Sequence, residues 1–241
     1  MDFFRDGGGF VFVVLMIAIF IAVAIIGAYM AAKRRKELQL WADSHGLMFD
    51  ESHDYSFDSQ YAQYDCFKQG DNRYAYNRLS GPWGNRQFLG FDYHYETHST
   101  DSKGRRQTHH HHFSGVILSS ECPLEPLFIR PESFFDKITE FFGWDDIDFE
   151  SAEFSRKFYV KAQDKKWAYD VLHQRTMEFL LQSPKFNIQC SWNGILAWQN
   201  STFSAAEFEA ATKVLEGILD RLPEYLVRQQ QESYHPGKGV S

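Results

Sequence analysis

The chain is short of almost everything that announces a reaction. Its 241 residues include only three cysteines, Cys66, Cys122 and Cys190. They make no CxxC pair, and an odd count argues against a disulfide framework. In apolar or strand-like surroundings they read as small buried hydrophobes, as expected of a reducing compartment. There is no phosphate-cradling glycine loop, no nucleophile elbow and no HExxH. WDDIDFE supplies Asp145, Asp146, Asp148 and Glu150 without the glycine and terminal glutamate of an EF-hand loop. It reads instead as the acidic start of a helix through FESAEF. Basic charge is scarce too. Past residue 36 the chain carries 20 Lys and Arg against 30 Asp and Glu, a formal charge of −10. A nucleic-acid partner is therefore not expected, because releasing counterions from phosphate takes the opposite sign.

Charge is missing most completely from Phe10 to Met30, FVFVVLMIAIFIAVAIIGAYM. As a helix this run crosses a hydrocarbon core of about 30 Å, and no other stretch approaches it. A signal peptide would need a basic start and a shorter apolar region, whereas Arg5 here is flanked by Asp2 and Asp6. Lys33, Arg34, Arg35 and Lys36 follow at once, and the positive-inside rule puts such a collar on the cytoplasmic side, against anionic lipid. The expected organisation is an N-terminus outside (1–9), a transmembrane helix (10–32), a collar and stiff helical stalk (33–46) stopped by Gly46, and a cytoplasmic α+β domain (47–228) in the cell's inner membrane. Ala18, Ala22, Gly27 and Ala31 place small residues along the span, where a second copy could approach closely. Ordinary lipid-facing composition explains them as well.

Aromatic residues are plentiful, with 23 Phe, 12 Tyr and 6 Trp, enough for a large core. A short helix is expected in 58–67, and strands at 74–80 and 86–97 flank GPWGN, whose Gly and Pro mark a hairpin loop. Leu89, Phe91, Tyr93 and Tyr95 alternate with Gly90, Asp92, His94 and Glu96, the period of a strand with one dry face. The β-rich half, an antiparallel meander, runs over 47–130. The mixed half, 131–228, reads β-α-β-β-α. It comprises a helix whose face is Phe134, Phe135, Ile138, Phe141 and Phe142, a strand at 157–162, helices over 165–182 capped by Asp164, and a hairpin turning on Asn193 and Gly194. A last helix carries the Ser204/Glu207 capping box with a Phe203/Phe208 staple, and presents Phe208, Ala211, Leu215, Ile218 and Leu222 on one face. A disordered tail over 229–241 is expected. Trp83, in the GPWGN loop, is either an exposed contact residue or a cover for the edge of its own sheet.

The one concentration of chemistry is THHHHFSG, residues 108–115. If 86–98 and 105–118 form a hairpin closed around 100–104, one symmetric register sets His94 opposite His109 and Asp92 opposite His111 on a single face. Imidazoles with a carboxylate suit zinc, so the candidate metal ligands are His94, His109, His111 and Asp92, with Glu96 in reserve. A slip of one residue turns the set to the other face, and a plain polar sheet face is the competing reading. Apart from zinc, no cofactor is implied. His173 reads as a structural histidine.

Residues 148–181, DFESAEFSRKFYVKAQDKKWAYDVLHQRTMEFLL, resemble the signature of a family of functionally uncharacterised bacterial proteins anchored by a single membrane span. The resemblance implies a hydrophobic N-terminal span, a cytoplasmic α+β domain and a bacterial source. It carries no activity with it. The expected function is thus a binding or scaffolding module with the bilayer and an unidentified membrane-associated protein as partners. The alternative is a zinc-type hydrolase, or a metal or pH sensor, built on the histidines.

Overall fold

One helix carries the apolar run straight into the body of the protein. In the computed structural model, which describes residues 8–132 and 144–234, α1 spans Gly8–Ser44 without a break. It is long and apolar enough to cross a membrane, and its side chains from Val11 to Lys33 are exposed. The helix stops at Gly46, as its sequence predicts. Gly46 takes φ +67°, and Leu47 N donates to Ala42 O at 2.9 Å, closing the end with a left-handed glycine. The helix continues through the expected stalk residues to Ser44, and its end packs into the domain. Leu38 and Ala42 are wholly buried, and the ring of Trp41 lies 5.9 Å from Trp83 and 6.3 Å from Phe208. The last turns of α1 are therefore part of the core.

The strands are β1 (Met48–Asp50), β2 (Asp71–Trp83), β3 (Arg86–Thr100), β4 (Arg106–Pro131), β5 (Asp145–Asp146), β6 (Phe158–Ala162) and β7 (Asn187–Gln199). All pair antiparallel in the order β1-β2-β3-β4-β6-β5, with β7 also on β4. The first four make the predicted meander. The helices are α2 (Phe57–Gln60), α3 (Ala152–Lys157), α4 (Lys165–Val171), α5 (Gln174–Gln182), α6 (Ala205–Leu219) and α7 (Glu224–Tyr234).

Alternation along β3 splits the core in two. Phe91 and Tyr93 face α2 and the 3-10 turn Asp65–Lys68, where they pack with Phe57, Phe67 and Phe113. Phe88 faces the other way, towards Leu38, Phe208 and Leu215 of α1 and α6. Each such buried ring contributes about 2–3 kcal/mol of transfer free energy. α6 begins with the predicted capping box and staple, Phe203 and Phe208 lying 5.3 Å apart, and it buries Phe208, Ala211, Leu215 and Ile218 of the predicted face, while Leu222 falls past its end and is half-buried. Asp164 caps α4 by accepting from Lys166 N and Trp167 N.

Several expectations are corrected. Asn193 and Gly194 make no turn: β7 runs through them, so the mixed half has one long strand where two were expected. Gly194 pairs with Ser119, and a Cβ there would meet Leu118 O at 2.8 Å. This glycine serves close backbone approach, not positive φ. The irregularity lies in the partner strand, where residues 120–123 of β4 face Asn193 alone. The acidic stretch starts no helix at Asp148, since α3 begins only after Ser151, whose side chain accepts from Phe154 N. Residues 229–234 are helical, within α7. The Phe134–Phe142 helix lies outside the described residues.

Candidate functional site

The β3–β4 hairpin carries the histidines, and its loop sets which of them meet. Asp101 accepts from Lys103 N and Arg105 N at 2.8 and 2.9 Å, and Gly104 takes φ +78°. The loop is therefore 101–105, which pairs His94 with His112, Glu96 with His110 and Thr97 with His109. Against the expected pairing this is a shift of three residues. An odd shift exchanges the two faces of one strand relative to the other. His109 and His111 thus lie on the face opposite His94, and the expected four-residue set is not brought together. Each instead meets a hydroxyl across the hairpin: His111 Nε2 lies 2.8 Å from Thr97 Oγ1, and His109 Nε2 2.8 Å from Ser99 Oγ. His111 also stacks on Tyr95 at 4.6 Å. Burial, then the neighbouring His109, holds His111 below the ordinary imidazole range.

Asp92 is no ligand either. It is fully enclosed and accepts both guanidinium nitrogens of Arg34, at 2.7 and 2.8 Å, the Asn77 amide at 2.8 Å and the Ser114 hydroxyl. Arg34 Nε completes the clamp by donating to Phe203 O at 2.8 Å. Burial works against the Arg34 charge, but the hydrogen bonds and charge of Asp92 outweigh it, and the proton is held more tightly than usual. One residue of the expected lipid-facing collar is thus a structural bolt between the apolar helix and the middle of the sheet. Lys33 and Arg35 lie near Glu37 and Glu51 instead, at 3.9 and 3.1 Å. Beside the clamp a groove of about 540 Å³ opens between the end of the apolar run and the domain, lined by Met30, Ala31, Arg35, Glu51, His53 and Tyr76.

Two bulges in β2 aim at this face of β3. Its register slips once between Asp71 and Tyr74 and again between Tyr76 and Leu79. Each slip holds an asparagine in left-handed backbone, Asn72 at φ +48° and Asn77 at φ +47°. Bulges re-aim side chains. Here Asn77 reaches Asp92, and Asn72 reaches the histidines. Asn72 O lies 3.1 Å from His94 Nδ1, and Asn72 Nδ2 donates to Glu96 Oε1 at 2.7 Å. His94 Nε2 is 3.1 Å from His110 Nδ1, which is 3.4 Å from Glu96 Oε1. The Asn72 hydrogen bond, aided by His110, holds the Glu96 carboxyl below its usual range. His112, on the same face, sits 3.1 Å from the Tyr76 hydroxyl; burial, then His94, lowers its imidazole.

The frame around this face has a precedent. The fold is similar to that of the mycobacterial trehalose monomycolate transport factor A, TtfA, whose crystal structure superposes with a TM-score of 0.57 at 11% identity, over 78% of this chain and 94% of that one. That likeness is one of fold. No family model and no curated protein matches the chain.

The remaining expectations fall into place around it. His173 lies 3.0 Å from Arg221 O, the structural role expected of it. Trp83 packs on its own sheet and donates to Glu216 at 2.9 Å. All three cysteines are buried. Asn72 and His110 were missed by sequence reasoning. His110 lies within the histidine tract but outside the set that the expected register selected, and Asn72 precedes the expected strand at 74–80, where no local pattern marks a bulge.

Proposed function

We propose that the chain is a single-pass membrane protein whose α+β domain works at the cytoplasmic face as a binding module for a membrane-resident protein. It would stand among the uncharacterised bacterial proteins that residues 148–181 resemble. The observation that carries this reading is the Arg34–Asp92 clamp. A domain tethered only for location needs no more than a flexible linker. Here the apolar helix runs unbroken into the core, and the fourth residue after its apolar run, Arg34, is bolted to the central strand. Such a joint fixes the orientation of the domain to the bilayer plane, which matters when the target is itself in the membrane. The collar at 33–36 supports the cytoplasmic orientation. The likeness in fold to TtfA, described as a transport factor, fits a membrane-associated protein. The groove at Met30, His53 and Tyr76 is the natural contact.

Affinity purification of the full chain in mild detergent, with mass spectrometry, tests the reading. A stoichiometric membrane protein recovered with wild type and lost with His53→Asp is the expected result. The same recovery with both chains, or no stoichiometric partner, counts against it.

A further inference from the structure

The trio on the β3–β4 hairpin has the dimensions of a metal centre. We propose that His94 Nε2, His110 Nδ1 and Glu96 Oε1 bind one zinc ion, with the fourth coordination position open to solvent. This stands independently of the binding-module reading.

Geometry comes first. A zinc ion about 2.1 Å from each ligand in a tetrahedron requires ligand atoms about 3.4 Å apart. The His94–His110 and His110–Glu96 edges measure 3.1 and 3.4 Å. The three donor atoms all lie within 4.8 Å of one another. Two imidazoles and one carboxylate with an open fourth position are also the ligand count of open zinc sites.

The supporting shell is the second observation. A ligating histidine commonly donates its other ring N–H to a carbonyl, which fixes the tautomer and turns the remaining lone pair to the metal. His94 Nδ1 faces Asn72 O at 3.1 Å, so its Nε2 presents a lone pair to the centre of the trio. The same asparagine donates to Glu96 Oε1 and orients the carboxylate. It does both from left-handed backbone at φ +48°, a conformation unfavourable for a residue with a Cβ and one that collects at functional sites. One strained residue therefore holds two of the three ligands. His94 is buried, Glu96 half-buried and His110 exposed, so the ligands define a floor and leave one side to solvent. The rival occupant is a proton shared between the imidazoles and Glu96, which needs no saturable metal binding.

The full chain in detergent, stripped with chelator, is titrated with zinc by calorimetry and with Co²⁺ by visible absorption. One equivalent should bind, with the absorption of tetrahedral cobalt. Glu96→Gln and His110→Ala, both on solvent-reachable side chains, should abolish it. Asn72→Gly keeps the left-handed backbone and the carbonyl but removes the amide, and should weaken binding about tenfold or more. His109→Ala with His111→Ala, on the other face, should leave the titration unchanged. Absence of a saturable one-equivalent titration overturns the proposal. So does binding that survives Glu96→Gln and His110→Ala, or that disappears with His109→Ala and His111→Ala, because that is an exposed histidine tract acting as a tag would.

Discussion

Replacing Arg34 with alanine should loosen the whole protein, though the residue lies within the expected membrane collar. Asp92 is fully enclosed and relies on Arg34 for two of the four side-chain hydrogen bonds it accepts. Removing one member of a buried pair strands the other charge at a cost of about 3–5 kcal/mol. The Arg34 side chain is 23% exposed, and Asn77 and Ser114 remain to solvate the carboxylate, so the lower figure, about 3 kcal/mol, applies. For a domain of roughly 200 residues that lowers Tm by about 6–12 °C, measured by circular dichroism on the full chain in detergent. The double variant Arg34→Ala with Asp92→Ala should be more stable than Arg34→Ala alone, since the stranded carboxylate is gone. Single and double effects that simply add, to within about 0.5 kcal/mol, would show that the two side chains do not act as a pair and would refute the clamp.

Four further outcomes follow from the packing. Gly194→Ala should cost about 1–3 kcal/mol by overpacking, because its Cβ would press on Leu118 O and lie 3.2 Å from the Tyr64 hydroxyl. Asn193→Thr should be neutral or stabilising by denaturant unfolding, since residue 193 is an exposed strand position where a β-branched residue is favoured; a loss above about 1 kcal/mol would instead indicate a turn. Ser204→Ala should cost about 1 kcal/mol by removing the cap of α6. Burial pushes the Cys190 thiol up to about 12. At pH 8 only about one molecule in ten thousand then carries the thiolate, so alkylation of native protein should be very slow at this residue and rapid after denaturation. Fast native labelling would contradict its burial.

What the residues disclose depends on how local the signal is. The apolar run, the Gly46 stop, the Ser204/Glu207 box and the alternation of β3 are set within a few residues, and the fold carries each of them as read. Asn193–Gly194 misleads because the local preference for a turn is overridden by a tertiary need, room for the Leu118 carbonyl. The histidine register fails by three residues for a related reason. The loop is chosen by the Asp101 carboxylate gripping two backbone amides, and the identity of the loop decides which face every histidine takes. Arg34 was legible as part of a basic collar but not as the partner of Asp92, 58 residues away, because nothing local links them. The bulges at Asn72 and Asn77 are equally silent, although they aim both polar groups of the site.

The central claim is that one helix crosses the membrane and holds the acidic domain fixed on the cytoplasmic side. Protease protection in bacterial cells producing the full chain tests it most directly. The chain should fractionate with membranes through alkaline washing, come out only with detergent, and stay intact when protease is added to spheroplasts until they are lysed. Digestion of the domain in unlysed spheroplasts, or a chain that washes free of the membrane without detergent, would contradict it.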